Sequence, residues 1–352
     1  MNNTVGILGA GAFGTAIAKI IAEKGIDVTI WCFEKDVAHE INTNHINKYL
    51  PGVILPENIK AVTEIKEAAI DKEYIILSSP SLFILNTVKE IISVPNIMEG
   101  ISKIAVIAKG FLEGPKGPQL LLDTIENYLP GFYKGNVVYI SGPSHAEEVA
   151  RGKITGLISA CSNPRMSIIF RELLSTETVQ VFSSLDVIGV QVSAAVKNVI
   201  AIAFGLLDAL KEISERVGDN TESYLFAVGL NEIQKLGMAM GATHPETFTS
   251  LAAVGDLHVT CRSLYGRNRR FGSEIIEKKV LDQFNDIDDM IENISKLGYL
   301  PEGIVAAKFA SQLADNYKLK LPMIQTVYRM LNKEESPLEI VKSLDPGFYT
   351  TE

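Results

Sequence analysis

The sequence predicts an α/β protein, with a doubly wound sheet in residues 1–186 followed by a mostly α-helical second domain in 187–352. Three observations carry this prediction. Short β-rich runs alternate with helical patterns in the first half, that texture stops after Asp186, and helical patterns fill most of the remainder. At 352 residues, 47% hydrophobic and 21% charged, the chain has the length for two domains and the apolar content to fill both cores.

Strands are expected at 5–8, 28–31, 74–78, 104–108, 137–141 and 156–160, with 179–182 as a possible last one. Each is a short apolar run rich in Val and Ile. Between the first two, the alanine- and isoleucine-rich stretch 15–24 reads as a helix. Strands separated by helices pair in parallel through right-handed crossovers. In the second half, helices are expected over 187–211, 224–240, 245–253, 273–276, 290–297 and 303–316. The run 114–118, Gly-Pro-Lys-Gly-Pro, reads as a loop.

Composition excludes several function classes. A net charge of −9 disfavours nucleic acid and anionic membranes as partners. Cys32, Cys161 and Cys261 are widely spaced with no C-x-x-C pair, which suits reduced, buried thiols and neither a disulfide framework nor a zinc site. No histidine, glutamate and cysteine grouping has metal-ligand spacing, so no metal is expected. The apolar stretch 187–210 contains Gln191, Lys197 and Asn198 and is expected to be a buried core helix, not a membrane span. A strand pattern begins almost at the first residue, leaving no room for a targeting segment, and a cytoplasmic protein is expected.

The first candidate site is Gly9-Ala10-Gly11-Ala12-Phe13-Gly14, a G-x-G-x-x-G string between a buried strand and a helix. Gly9 permits the tight turn, Gly11 lets the backbone approach a pyrophosphate, and Gly14 lets helix and strand pack closely. The helix start then offers unpaired N–H groups to phosphates. This is the fingerprint of a Rossmann-type dinucleotide domain. Glu34 closes the second strand 20 positions after Gly14, the offset of an acidic ribose ligand. A carboxylate there accepts from ribose hydroxyls and repels a 2′-phosphate, so NAD is expected over NADP.

The second candidate site lies in the helical half. Lys197 and Asn198 interrupt an apolar helix, which is costly unless they are paired or used. Asp256 follows Gly255, and Gly266-Arg267-Asn268-Arg269-Arg270 packs three guanidiniums into one short segment. At least one of Arg269 and Arg270 is expected to be only solvated.

On these residues the chain resembles the glycerol-3-phosphate dehydrogenases. The resemblance runs over nearly the whole length and adds Ala108-Lys109-Gly110, Gly142-Pro143-Ser144 and Glu302-Gly303 to the segments above. It implies hydride transfer between NAD(H) and C2 of sn-glycerol 3-phosphate or dihydroxyacetone phosphate, serving glycerophospholipid and glycerol metabolism, in a possible homodimer. By resemblance Lys197 is the catalytic lysine, Lys109 lies near nicotinamide and substrate, and Asp256 and Thr260 belong to the substrate pocket, with Asp256 holding Lys197. Arg267 and Asn268 match the phosphate clamp, Arg267 also approaching the cofactor, and Gly142 and Ser144 match a loop beside the substrate. Gly266 stands there where many bacterial members have serine. Ala146, Leu300 and Glu302 match cofactor contacts, and Phe33 and Phe83 resemble aromatic residues packed around the dinucleotide. Ala12 and Phe13 complete the glycine turn.

The chemistry agrees with the resemblance. Oxidising a secondary alcohol needs a base for its proton, and a desolvated lysine beside a second cation gives up its own proton more easily. Arg267 offers a planar fork matched to a phosphate. His145 and His258 are expected to be neighbours of the site and not acid–base groups. Two rival readings stay open at this point: a related dehydrogenase of a sugar acid, hydroxyacyl thioester or ketopantoate, and a protein that binds NAD(H) without turnover. The acidic stretch 282–293 has no assigned role.

Overall fold

The structure is a computed structural model describing residues 4–115, 117–263 and 266–342. Lys116, within the expected loop 114–118, lies outside the described residues. The chain forms two compact units, one of residues 1–112 and 120–187, the other of 113–119 and 188–352. The second unit thus takes in a short stretch from within the first half.

The first unit is built on an eight-stranded sheet. Its strands are β1 (Thr4–Leu8), β2 (Asp27–Trp31), β3 (Ile59–Val62), β4 (Tyr74–Leu77), β5 (Lys103–Val106), β8 (Val138–Ser141), β9 (Thr155–Ala160) and β10 (Val179–Ser184). Two short strands, β6 (Phe111–Gly114) and β7 (Gly117–Leu120), pair with each other in place of the expected loop. The order in the main sheet is β10-β9-β8-β5-β4-β1-β2-β3. From β1 the chain moves to β2 and β3 on one side and then returns to β4 on the other, so the topological switch lies between β1 and β4. The β1 residues Val5, Ile7 and Leu8 are fully buried, as a central strand of such a sheet requires.

One pairing corrects the expectation of an all-parallel sheet. β8 and β9 are antiparallel, whereas β9 and β10 are parallel. The β8–β9 connection carries only the five-residue helix Ala146–Ala150. A parallel return needs a longer crossover, usually a full helix. The short helix packs instead against α1 (Ala12–Ala22), the helix that follows the glycine turn.

The second unit is arranged around α2 (Val187–Lys211), a 25-residue helix and the one long and apolar enough to cross a membrane among the described residues. Its most apolar window is 89% buried inside the protein, the state of a core helix. Around it lie α3 (Asp219–Ala239), α4 (Asp256–Arg262), α5 (Arg267–Glu277), α6 (Gly303–Asn316) and α7 (Pro322–Leu331). The expected helix 245–253 is two short pieces, a 3₁₀ turn at Pro245–Thr249 and a wider π turn at Leu251–Gly255. The expected helix 273–276 starts earlier, at Arg267. In the acidic stretch, Asp286 caps the helix Ile287–Glu292, Asp289 accepts from the Asn285 N–H, and Asp288 pairs with Lys308. Those carboxylates are local fasteners.

All three cysteines are free and buried. Burial pushes the Cys32 thiol up to about 12 and the Cys161 thiol to about 11, so neither is a ready nucleophile.

Candidate active site

In the first unit the glycine turn has the shape its sequence dictates. Gly9 sits at φ +131°, and a Cβ there would lie 2.9 Å from the backbone of Ser78 and Ser79 beyond β4. A Cβ on Gly14 would lie 2.2 Å from the Gly9 carbonyl oxygen. Only glycine fits either place. Gly11 differs: it is exposed, and a Cβ would meet nothing within 4 Å. It caps α1 in an extended conformation with no side-chain cap, so the first-turn N–H groups of Ala12, Phe13 and Gly14 have no intrahelical acceptor. That combination of two tight glycines and one open one fits a dinucleotide pyrophosphate.

A residue that sequence reasoning missed fixes this turn. Asn47 is buried and donates to the Ala10 carbonyl at 2.9 Å and to Thr15 Oγ1 at 2.8 Å. Nothing in its loop sequence signals a contact 37 positions away.

Glu34 lies three residues past the end of β2 and caps the helix Lys35–Asn44. Its carboxylate accepts from Lys48 Nζ at 2.8 Å and from the Tyr49 hydroxyl at 2.5 Å. These two hydrogen bonds hold it below the usual carboxylate range, so it is ionised at neutral pH. Phe33 beside it is 86% exposed, edge-on to Trp31, and Phe83 is also exposed. Elsewhere in this unit, Lys109 Nζ and Ser144 Oγ both donate to the Gly142 carbonyl, at 3.4 and 2.9 Å. Gly142 holds φ +125° where a Cβ would press on the Gly156 carbonyl. Ala146 is buried at the start of its short helix, and His145 caps it.

The second unit gathers Lys197, Asp256 and Thr260, whereas Lys109, also expected to be catalytic, lies in the first. Lys197 is buried on α2, its Nζ ion-paired with Asp256 Oδ1 and 2.8 Å from Thr260 Oγ1. Asp256 and Thr260 lie four residues apart on α4 and therefore on one face. Thr260 also donates to the Asp256 carbonyl at 2.6 Å, which turns its oxygen lone pairs to Lys197.

Two helices touch here through glycine. A Cβ on Gly272 of α5 would lie 2.1 Å from the Ile202 carbonyl oxygen of α2, and one on Gly205 would lie 1.8 Å from the Arg269 carbonyl. This close crossing sets the start of α5 against Asn198. Asn268 Nδ2 donates to Asn198 Oδ1 at 3.0 Å, and Asn268 Oδ1 accepts from the Gly303 N–H at 2.9 Å. Asn268 is thus a fastener between α2, α5 and α6. Glu302 caps α6, and Leu300 is half-buried just before it.

The three arginines separate cleanly. Arg269 makes a two-pronged bond to Asp208 at 2.5 and 2.8 Å. Arg270 pairs with Glu274 at 2.9 Å and stacks on Tyr299. Arg269 is therefore engaged with α2, whereas Arg270, exposed and paired only within its own helix, is the solvated arginine expected. Arg267, exposed at the first position of α5 beside the half-buried Gly266, has no ion pair among the described residues. His258 points away from Asp256 and Thr260, edge-on to Phe226.

A glycine turn at the switch point of a wound sheet, together with a buried, carboxylate-held lysine on a helical unit, defines a dinucleotide-dependent dehydrogenase. Residues 4–167 match the profile described as NAD-dependent glycerol-3-phosphate dehydrogenase N-terminus, and residues 186–342 match its C-terminus counterpart. The chain belongs to the NAD-dependent glycerol-3-phosphate dehydrogenase family. It is 52% identical to a glycerol-3-phosphate dehydrogenase [NAD(P)+] of Treponema denticola over 99% of both chains. It is 47% identical to that of Treponema pallidum over 94% of this chain and 96% of the other. The solved glycerol-3-phosphate dehydrogenase of Coxiella burnetii superposes with a TM-score of 0.81 at 31% identity, covering 97% of this chain and 98% of that one.

Proposed function

We propose that this enzyme reduces dihydroxyacetone phosphate to sn-glycerol 3-phosphate with NADH, reversibly, and prefers NADH to NADPH. The observation that carries the chemistry is the buried Lys197–Asp256–Thr260 group. A bound nicotinamide supplies the hydride. Lys197 gives its proton to the C2 oxygen as the ketone is reduced and takes it back in the oxidation. Asp256 keeps the ammonium charged between turnovers, and Thr260 fixes where Nζ points. Lys109, anchored on Gly142 with Ser144, adds a second cation toward substrate and cofactor.

The phosphate falls to Arg267, the arginine of its segment with no carboxylate partner among the described residues. Asn268 has one amide N–H left for the same anion, after its bonds to Asn198 and Gly303. Gly266 offers backbone only. On the cofactor side, Gly9, Gly11, Ala12, Phe13 and Gly14 seat the pyrophosphate and Glu34 takes the ribose hydroxyls. Phe33, Phe83, Ala146, Arg267, Leu300 and Glu302 complete the cofactor's surroundings. A cytoplasmic location and a homodimer belong to this reading and rest on the family resemblance.

The test is NADH absorbance with dihydroxyacetone phosphate, with unphosphorylated dihydroxyacetone as control. Turnover only with the phosphate ester supports the reading. Equal turnover of both, or of neither, contradicts it.

A further inference from the structure

Glu34 does not stand alone at the end of β2. The chain returns after the helix Lys35–Asn44, and Asn47 locks that return onto the glycine turn through the Ala10 carbonyl. The Tyr49 N–H closes onto Asn47 Oδ1 at 2.9 Å. The lock delivers the next two side chains to one carboxylate: Lys48 Nζ lies 2.8 Å from Glu34 Oε1, and the Tyr49 hydroxyl 2.5 Å from Oε2. Lys48 Nζ also reaches Asp36 Oδ2 at 2.9 Å. Its side chain is 48% exposed and that of Asp36 67%, so these pairs are screened and exchange at little cost.

We propose that Lys48 sets how strictly this enzyme rejects a 2′-phosphorylated cofactor, by neutralising Glu34 and offering its ammonium to the phosphate. The inference rests on the reading of Glu34 as the ribose ligand. A bare carboxylate at that position repels a phosphate of nearly two negative charges. With a lysine in the same hydrogen-bonding shell, much of that repulsion is cancelled. Lys48 carries three donors, two of them on exposed carboxylates, and can turn toward a phosphate entering beside Glu34. The ribose hydroxyls of NADH use the acceptor positions of Glu34 that Lys48 and Tyr49 leave open, so NADH depends on Lys48 far less. The preference for NADH is therefore a graded one, set by the balance of Glu34 and Lys48.

The full-length Lys48→Met variant tests this, with kcat/KM and direct fluorescence binding measured for both reduced cofactors. NADPH is expected to lose about tenfold or more in kcat/KM, the scale of one charge-assisted hydrogen bond, and NADH less than about threefold. Adding Glu34→Gln to Lys48→Met is expected to bring NADPH back. Equal losses for both cofactors would make Lys48 a loop fastener and overturn the inference, as would an unchanged or improved NADPH value. If Glu34→Gln alone leaves the cofactor ratio untouched, the ribose reading fails and this inference falls with it. If it shifts the ratio while Lys48→Met does not, only the Lys48 inference fails.

Discussion

Lys197 and Asp256 form an ion pair in which both side chains are buried, at the place where α2 meets α4. Such a pair contributes little net stability, because desolvation offsets most of the attraction. On the proposed reading its value is chemical. The carboxylate holds the lysine Nζ from one side, and four residues on, Thr260 holds it from a second.

The phosphate clamp gives the first prediction. On the proposed reading, Arg267 holds a part of the substrate that does not react, so its binding energy serves to position the carbonyl. Arg267→Ala is expected to lower kcat/KM on dihydroxyacetone phosphate by about two to four orders of magnitude. The penalty should nearly vanish on unphosphorylated dihydroxyacetone, and phosphite should rescue the wild type on that substrate but not the variant. Equal loss on both substrates would place Arg267 in the fold or at the cofactor.

The glycine crossing gives the second. A methyl at position 272 would sit 2.1 Å from the Ile202 carbonyl oxygen, so α5 must move off α2. Gly272→Ala is expected to cost about 1–3 kcal/mol in denaturant unfolding. It should also lower kcat, because Arg267 and Asn268 ride on α5. Gly131→Ala, where an added methyl meets nothing within 4 Å, is the control and should change neither.

These positions show how unevenly the sequence discloses the molecule. The glycine turn and the core helix around Lys197 were legible because their signals are local: a glycine spacing, and polar residues in an apolar run. The antiparallel β8–β9 pair was not, since a strand's sequence does not state its direction. β3 was missed because it is a short edge strand whose Lys60 faces solvent. The start of α5 was hidden because Arg267, Asn268, Arg269 and Arg270 mask its helical period. Asn47 and Lys48 act through long-range contacts that no window of sequence contains.

Glu274 gives a prediction in pH. Burial acts to raise its carboxyl, but hydrogen bonds from Lys278, Tyr299 and Arg270 outweigh it and hold the pKa at about 2. A depressed folded-state pKa contributes stability that is fully present above the unfolded value of about 4.3 and is lost as pH falls toward 2. Urea midpoints should therefore fall over that window in the wild type and less steeply in Glu274→Gln. Parallel curves would remove Glu274 from the acid response.

The most direct test of the account is Lys197→Ala, measured for kcat on dihydroxyacetone phosphate and for NADH binding by fluorescence. A group that moves a proton in the transition state contributes about 10²–10⁴-fold. A loss of that size in kcat is expected, with NADH affinity within about threefold of wild type, since on the proposed reading Lys197 acts on the substrate oxygen and not on the dinucleotide. A variant that folds, binds NADH and keeps more than about a tenth of wild-type kcat would contradict it.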